Sequence, residues 1–403
     1  MIEICKKQEC VGCGACLSAC NKNAITMQPD ALGFLYPIID QNKCVDCGLC
    51  AKSCFNNHKP TYNEPLQTCI GYASDTNEQI SSTSGGIASV LMRSVLMKGG
   101  VVYGCSGENA REVRHIRIES PNEIDRLKGS KYVQSYMGLT YKNIVEDLKA
   151  QRLVLFIGTP CQVAGLKAYL KGKVYSKLYT IDFVCHGVPS QKILNDAIDA
   201  KLSGYGDLRL VNRVKEGGGE SKYTLRLLKD GKVVYDDVYP SKGYITGFLC
   251  GLYYRENCYQ CKFSKRERVS DITLGDFWDR QNIVHELTDK KNGLSMIITN
   301  TESGKNLLAL SKDSFKSIAW SYDDFIIRNG QLKHPIKRHS NRDLFEKLYK
   351  SVGYNTALTN SIHNDLWNIR KNVILNMVVE LINRIPIINI LYSKYKRKEN
   401  NII

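Results

Sequence analysis

The chain has 403 residues, 43% of them hydrophobic, with a formal net charge of +16. That length carries a large core and two or three structural units, and the hydrophobic content is ordinary for a globular protein. The basic balance suits nucleic acid, an anionic membrane surface, an acidic protein or a phosphate-bearing cofactor. No helix-turn-helix, zinc-finger or RNA-binding signature is present, which sets nucleic acid aside.

Cysteine is the unusual component: there are 16, and ten precede residue 70. The opening "MIEICKKQEC" has no apolar run after its lysines, so a signal peptide is not expected. A reducing cytoplasmic setting is therefore expected, where dense cysteines mean metal or redox chemistry rather than disulfides.

The first unit reads "CVGCGACLSAC" and then "CVDCGLCAKSC", each with the spacing C-x2-C-x2-C-x3-C. This is the spacing of bacterial two-cluster ferredoxins, in which the fourth cysteine ligates the other cluster. Cys10, Cys13, Cys16 and Cys54 are expected to hold one 4Fe–4S cube, and Cys44, Cys47, Cys50 and Cys20 the other. Gly12, Gly14 and Gly48 would supply the left-handed backbone such tight loops require. Asn21 and Phe55 stand where that ferredoxin pattern usually has proline, which removes a rigid turn but no ligand. Structural zinc is the competing reading, but it normally takes two ligands plus two across a longer gap. Cys5 lies outside the pattern and reads as an ordinary thiol.

Further along, strand and helix signals alternate. Val101–Gly104, Leu153–Gly158 and Leu178–Val184 read as buried strands. Ile87–Met97 and Gln162–Leu170 read as helices, closed by Gly99, Gly100 and Gly172. This alternation argues for an α/β core. Thr224–Val238 reads as a hairpin turning at Asp230-Gly231. Neither G-x-G-x-x-G after a strand nor a P-loop is present.

Three turns carry possible chemistry. "SSTSGGIAS", Ser81–Ser89, opens a helix and suits a phosphate, although a plain N-cap explains it as well. "KGSKYVQS", Lys128–Ser135, offers lysines for a phosphate and a tyrosine for a ring, although a solvated polar loop has the same composition. "GTPCQ", Gly158–Gln162, carries Cys161 as a nucleophile or a metal ligand.

Cys161 and Cys185 each follow a strand, and neighbouring parallel strands would bring both to one sheet edge. With the pair in "ENCYQCKF", Cys258 and Cys261, three segments offer four sulfurs, enough for a third cube. Zinc is chemically open at the same four thiols. A Cys185–His186 pair is disfavoured, because adjacent residues in extended chain point to opposite sides. Cys69, Cys105 and Cys250 read as buried small hydrophobes.

"TSGGIAS", "KGSKYVQS", "GTPCQVAGLK", "DFVCHGVPS", "ENCYQCKF" and "SDITLGDFW" occur here in the order of the coenzyme F420 hydrogenase/dehydrogenase beta-subunit family, which the chain resembles from about Gly71 to Gly304. The resemblance implies an FAD-binding α/β domain that exchanges electrons between a hydride carrier and iron–sulfur clusters. It implies Cys161, Cys185, Cys258 and Cys261 as ligands of the cluster nearest the flavin. It implies Ser84, Gly85 and Gly86, with Gly129, Ser130, Lys131 and Tyr132, as the FAD contacts. It gives no role for Asp271, Gly275 or Asp276. Hydrogenase subunits of this family typically lack the two-cluster module, so its presence here implies separate electron entry or a different partner.

The expected architecture is an α+β ferredoxin-like two-cluster module (1–60), an α/β flavin-binding domain (66–345) and a helical basic-amphipathic tail (346–403). In the tail, Val373–Tyr392 is apolar with a polar stripe and is followed by "SKYKRK". Glu380, Arg384 and Pro386 argue against a spanning helix. The segment fits either peripheral binding to an anionic membrane at the inner face or a helix docked on the core.

The expected function is an FAD- and 4Fe–4S-dependent oxidoreductase. Its partner would be a redox protein or a hydride carrier such as coenzyme F420. The alternatives are a non-catalytic electron-transfer or docking subunit and a zinc-bound interaction protein.

Overall fold

In the computed structural model, which describes residues 3–215, 221–277, 287, 290–369, 371 and 375, each cysteine repeat is a loop that turns into a short helix. Helix α1 (Ala15–Ala19) follows Gly14, strands β1 (Ile25–Pro29) and β2 (Leu35–Ile39) pair antiparallel, and α2 (Leu49–Lys52) follows Gly48. Gly12, Gly14 and Gly48 have φ of 68°, 76° and 69°, the left-handed backbone anticipated for these loops. The arrangement is a ferredoxin-like module.

The body continues with β3 (Gln67–Ala73), α3 (Thr76–Ile80), α4 (Ile87–Met97), β4 (Val101–Ser106), β5 (Arg114–Ile118), α5 (Thr140–Lys149), β6 (Val154–Ile157), α6 (Pro160–Leu170), β7 (Leu178–Phe183) and α7 (Gln191–Asp199). Next come β8 (Arg209–Val214), β9 (Lys222–Lys229), β10 (Lys232–Val238) and α8 (Tyr244–Leu249). The chain then forms β11 (Ile272–Asp276), β12 (Ser295–Thr299), α9 (Glu302–Ala309), β13 (Phe315–Ala319), α10 (Tyr322–Arg328), α11 (Arg342–Val352) and α12 (Tyr354–Ser361). Helix α6 starts two residues before its apolar pattern, because Pro160 suits a first helical position and Gln162 accepts a hydrogen bond from the Thr159 N–H at 2.9 Å.

Among the described residues the main sheet has eight strands in the order β13-β3-β12-β11-β7-β6-β4-β5. Strands β4, β6, β7 and β11 are mutually parallel, and β3 shares their direction because β12 runs antiparallel to both β3 and β11. The carboxyl ends of all five therefore lie on one edge. Strand alternation divides the side chains between two cores. Val102 and Leu155 face α4 with Ile87, Leu91 and Val95. Tyr103, Val154 and Phe156 face α5 and α6, with Tyr141, Ile144, Val163 and Leu166. Val11, Ala15 and Phe55 of the module join the second core, so the module docks on the α5–α6 face.

A second sheet, β10-β9-β8, carries the expected hairpin, whose turn residues Asp230 and Gly231 have φ of 50° and 75°. It packs with α7, α8, α11 and α12 through Ile193, Leu227, Phe248, Phe345 and Leu358. Helix α11 runs across residue 345, and residues as far as Leu366 belong to this core. The apolar segment Val373–Tyr392 lies, except for Leu375, outside the described residues. Among the described residues no helix is long and apolar enough to cross a membrane.

A polar chain is buried between β5 and α6. Gln162 Nε2 donates to Ser135 Oγ at 3.0 Å, Ser135 lies 2.9 Å from His115 Nδ1, and His115 Nε2 lies 3.0 Å from the Ile157 carbonyl oxygen. A carbonyl only accepts, so Nε2 carries the proton and Nδ1 accepts from the serine. Burial pushes the His115 pKa down to about 4. An unfolded histidine titrates near 6.5, so stability is complete above that pH and declines as the pH falls through the window toward 4. The expected loss below pH 4 is up to about 3 kcal/mol. Urea unfolding of His115→Gln at several pH values between 7 and 4 should show a shallower decline than the parent, from a lower starting stability.

Candidate metal centres

The eight module cysteines line two separate voids. The first is lined by Cys10, Cys13, Cys16 and Cys54, the second by Cys20, Cys44, Cys47 and Cys50. Each void thus takes three sulfurs from one repeat and the fourth from the other. Chain crossing explains this: α1 and α2 pack side by side, so Cys20, just after α1, and Cys54, two residues after α2, reach the opposite loops. The Ala24 N–H lies 3.3 Å from Cys20 Sγ, a backbone donor aimed at a ligand sulfur. Cys47 is exposed, which puts the second void at the surface, whereas Cys16 is buried. Burial and the neighbouring Cys10 and Cys54 thiolates push Cys16 up to about 12.

Cys5 is not a bystander. Its thiol lines the first void with Cys10 and Cys54, and its nearness holds the Cys10 and Cys54 thiols below the usual range. Nothing in the cysteine spacing marked it, because it adds a fifth thiol to a complete set of four.

Beyond the module, Cys161 opens α6 directly after β6, and Cys185 follows β7. The parallel pairing of β6 with β7 brings both to the carboxyl edge, as expected from the strand pattern. Cys258 and Cys261 sit in and just after a 3-10 turn, Glu256–Gln260. Two contacts bring that turn to the same edge. The Arg255 N–H donates to the Val188 carbonyl at 2.9 Å, and the ring of Tyr254 covers Gly187, where a Cβ would fall 2.3 Å from Cδ2. Gly187 also has φ of 140°, so glycine is required there for both reasons.

Beneath, the buried Arg268 pairs with the fully buried Asp182 at 3.1 Å and donates to the Phe263 carbonyl at 2.7 Å, tying the segment after Cys261 to β7.

The four thiols lie within electrostatic range of one another. Cys185 feels the charges of Cys258, Cys161 and Cys261, and Cys258 those of Cys161 and Cys261. Burial pushes Cys161 up to about 11, Cys258 up to about 12 and Cys185 well up, with the neighbouring sulfurs adding to each. An activated nucleophile needs the opposite shift, whereas a bound metal would deprotonate such thiols outright.

Among the described residues no three His, Cys, Asp or Glu side chains stand close enough to hold a single metal ion. The module sulfurs surround voids rather than a point. Together with the left-handed glycines and the Ala24 N–H, that donor set fits cube-shaped clusters in the module. At the third site, four sulfurs from three segments supply the same ligand number.

The first void adjoins this third site. Cys13, Cys161 and Cys261 pack on one apolar cluster that includes Phe55, Tyr141 and Phe263, and the Phe55 and Phe263 rings are 5.5 Å apart. Gly165 of α6 lets Cys13 approach: a Cβ there would fall 2.9 Å from Cys13 Sγ and 2.9 Å from Tyr141 Oη.

The loops read as phosphate and ring contacts also lie at the carboxyl edge, and Lys128 joins them through 2.9 Å and 2.6 Å contacts with Ser81 Oγ and Glu78. Gly86 (φ 85°) opens α4, which no side chain caps among the described residues. Several of the candidate residues have internal partners. Ser84 Oγ donates to the Leu294 carbonyl at 2.6 Å, and a Cβ on Gly85 would meet the Gly71 carbonyl at 2.4 Å. Lys131 Nζ donates to the carbonyls of Leu127 and Lys128 at 2.6 and 2.8 Å. Tyr132 stacks on Phe248 at 4.3 Å. Gly129 is exposed and faces open space, and Ser130 is half-buried.

The "SDITLGDFW" motif acquires roles from the structure. Asp271 accepts from Thr180 N–H and Thr180 Oγ1 at 2.8 and 2.6 Å and from Thr301 Oγ1 at 2.7 Å, which pins β7 to the start of α9. Gly275 is pressed against Met296 and Val184, and Asp276 pairs with Arg213.

Two cysteine cages in a ferredoxin-like module, joined to an α/β body with further thiols at its carboxyl edge, define the class: an iron–sulfur redox protein. Residues 9–57 match the model of the 4Fe-4S dicluster domain, and residues 151–318 match that of the C terminus of the coenzyme F420 hydrogenase/dehydrogenase beta subunit. The chain thus carries a domain that matches the C terminus of this beta subunit, behind a 4Fe-4S dicluster domain at its N-terminus. No curated protein matches its sequence. Among solved structures, it is similar to a chain of the xenon-derivatized F420-reducing [NiFe] hydrogenase complex from Methanosarcina barkeri. The identity is 16% and the TM-score 0.44, over 75% of this chain and 92% of that one.

Gly165→Ala should press a methyl group against Cys13 at a typical overpacking cost of about 1–3 kcal/mol. About four iron per chain should be lost from the first site, with the second site still loaded. Iron and sulfide assays with a thermal melt would show it, and full loading at an unchanged midpoint would mean that α6 simply yields.

Proposed function

We propose that this chain is an iron–sulfur flavoprotein oxidoreductase. It would move electrons between a hydride carrier or reducible substrate at FAD and three 4Fe–4S clusters. The observation that carries the reading is the convergence of Cys161, Cys185, Cys258 and Cys261 between the first module site and the carboxyl edge of the sheet. Flavin takes up two electrons as hydride and releases them singly, while cysteine-bound cubes carry one electron at a time.

In this reading the chain's residues divide the work. Cys161, Cys185, Cys258 and Cys261 hold the third cube, and the buried Arg268–Asp182 pair keeps their segments in register. The uncapped N-terminus of α4 favours a phosphate, and Gly129 leaves it room. Phe55, Tyr141 and Phe263 keep water out between the first and third sites. The second site, with Cys47 at the surface, is the point at which a partner protein exchanges electrons. Coenzyme F420, in the family's name, is one candidate hydride carrier.

The internal partners of Gly85, Lys131 and Tyr132 favour a second reading, a non-catalytic electron-transfer or docking subunit whose loops only pack. Anaerobic purification separates the two. About twelve iron per chain together with FAD fits the flavoprotein, and about eight iron without flavin fits the carrier. The Cys258→Ser, Cys261→Ser double variant should lose about four iron with the module signals intact. An unchanged iron count would remove the third site and with it this proposal.

A further inference from the structure

Arg255 is 1% exposed, yet among the described residues its guanidinium meets no carboxylate. Nε donates to the Cys10 carbonyl at 2.8 Å, Nη1 to Gln134 Oε1 at 3.2 Å and Nη2 to the Leu35 carbonyl at 3.0 Å. The ring of Tyr36 lies 4.3 Å from its central carbon. Nearby acids are engaged elsewhere: Glu256 pairs with Arg338 at 2.7 Å, and Asp30 accepts from the Leu32 and Phe34 N–H groups, each at 2.9 Å. A buried charge without a counter-ion costs several kcal/mol, on the order of the desolvation penalty of one ion. Hydrogen bonds to neutral carbonyls offset only part of that.

The position of the side chain indicates what offsets the rest. Its tip touches the backbone of Cys10, a ligand of the first cluster. Its own carbonyl accepts from the Cys258 N–H at 2.8 Å, in the third site. Arg255 lies within electrostatic range of the Cys10, Cys161 and Cys258 sulfurs, on both cages. Gly12 makes room for it, since a Cβ there would fall 3.0 Å from Nη1 and 2.8 Å from Gln134 Nε2.

We propose that Arg255 is the fixed countercharge shared by the first cluster and the Cys161–Cys185–Cys258–Cys261 site, and that it raises the reduction potential of both. The inference rests, for its second half, on the third site holding a cluster. A cube with four thiolates is anionic and gains one more negative charge on reduction. A cation fixed in a low-dielectric interior therefore favours the reduced state. One guanidinium placed between two such sites lets neighbours that would repel each other both accept electrons. Arg255 is thus a positioning and tuning residue rather than a catalytic one.

The test is an EPR-monitored redox titration of the full chain, purified anaerobically, with Arg255→Met, Arg255→Gln and Arg255→Lys. Signals are assigned to sites with Cys47→Ser and Cys258→Ser. In the two neutral variants the first and third clusters should become harder to reduce by about tenfold in the one-electron equilibrium, about 59 mV. The second cluster should not move, and iron per chain should equal the parent's. Arg255→Lys should recover most of the shift. Iron loss from the first and third sites in both neutral variants would overturn the tuning role and leave Arg255 a structural residue.

Unchanged potentials, or an equal shift at all three clusters, would overturn it, since a purely structural arginine has no reason to act on two sites and spare the third. If the parent itself holds only about eight iron, the third-site reading has failed. The first cluster's shift relative to the second then decides the role of Arg255 alone.

Discussion

Crowded sulfurs are the constraint on which this structure depends. Thiols brought together in a protein interior resist ionisation, first because burial penalises the charged form and then because each thiolate raises the next. Cys16, Cys161 and Cys258 all show this rise, and Cys185 shows it beside three other sulfurs. Such an assembly persists only where a rigid frame holds the sulfurs and positive charge answers them. Iron supplies most of that charge when clusters are bound. The protein supplies the frame, and at Arg255 a share of the charge.

The frame is built differently in the two halves. In the module, short loops with left-handed glycines bend three thiols around each void, and the crossing of the repeats delivers the fourth. In the body the loops are far apart along the chain, and the sheet does the work. Parallel pairing of β6 with β7 aligns Cys161 with Cys185, and the Val188–Arg255 and Phe263–Arg268 contacts draw in the other two. Docking of α1 against α5 and α6 then joins the halves through Cys13, Gly165 and Tyr141. A side chain at Gly165 would press on this joint from within the body, far from either cysteine repeat in sequence.

The flavin question turns on the same distinction between a motif and its surroundings. Ser84, Gly85, Lys131 and Tyr132 all have packing reasons to be what they are. Gly129 and Ser130 are less enclosed, and Lys128 beside them is paired with Glu78 and Asp125. A loop that looks alike in sequence thus splits into residues that build the edge and residues that face outward from it.

Local chemistry was legible in the sequence by itself. The two cysteine repeats, the helix Ile87–Met97, the buried strands and the Asp230-Gly231 turn all follow from spacing and periodicity over a few residues. Helix ends were less legible, because capping by Thr159 and Pro160 moved the start of α6 beyond its apolar pattern. Only the tertiary structure decided the rest. It placed Cys5 against Cys10 and Cys54, buried Arg255 between two cages, made Asp271 a brace, and carried the packed core through α12 to Leu366. These facts depend on which strands are neighbours and which faces dock. Such contacts join separate elements, up to 245 positions apart for Arg255 and Cys10, and leave no periodic trace in the chain. A thiol or a guanidinium carries the same letter whether it faces water or an iron–sulfur cage, and the fold determines which it meets.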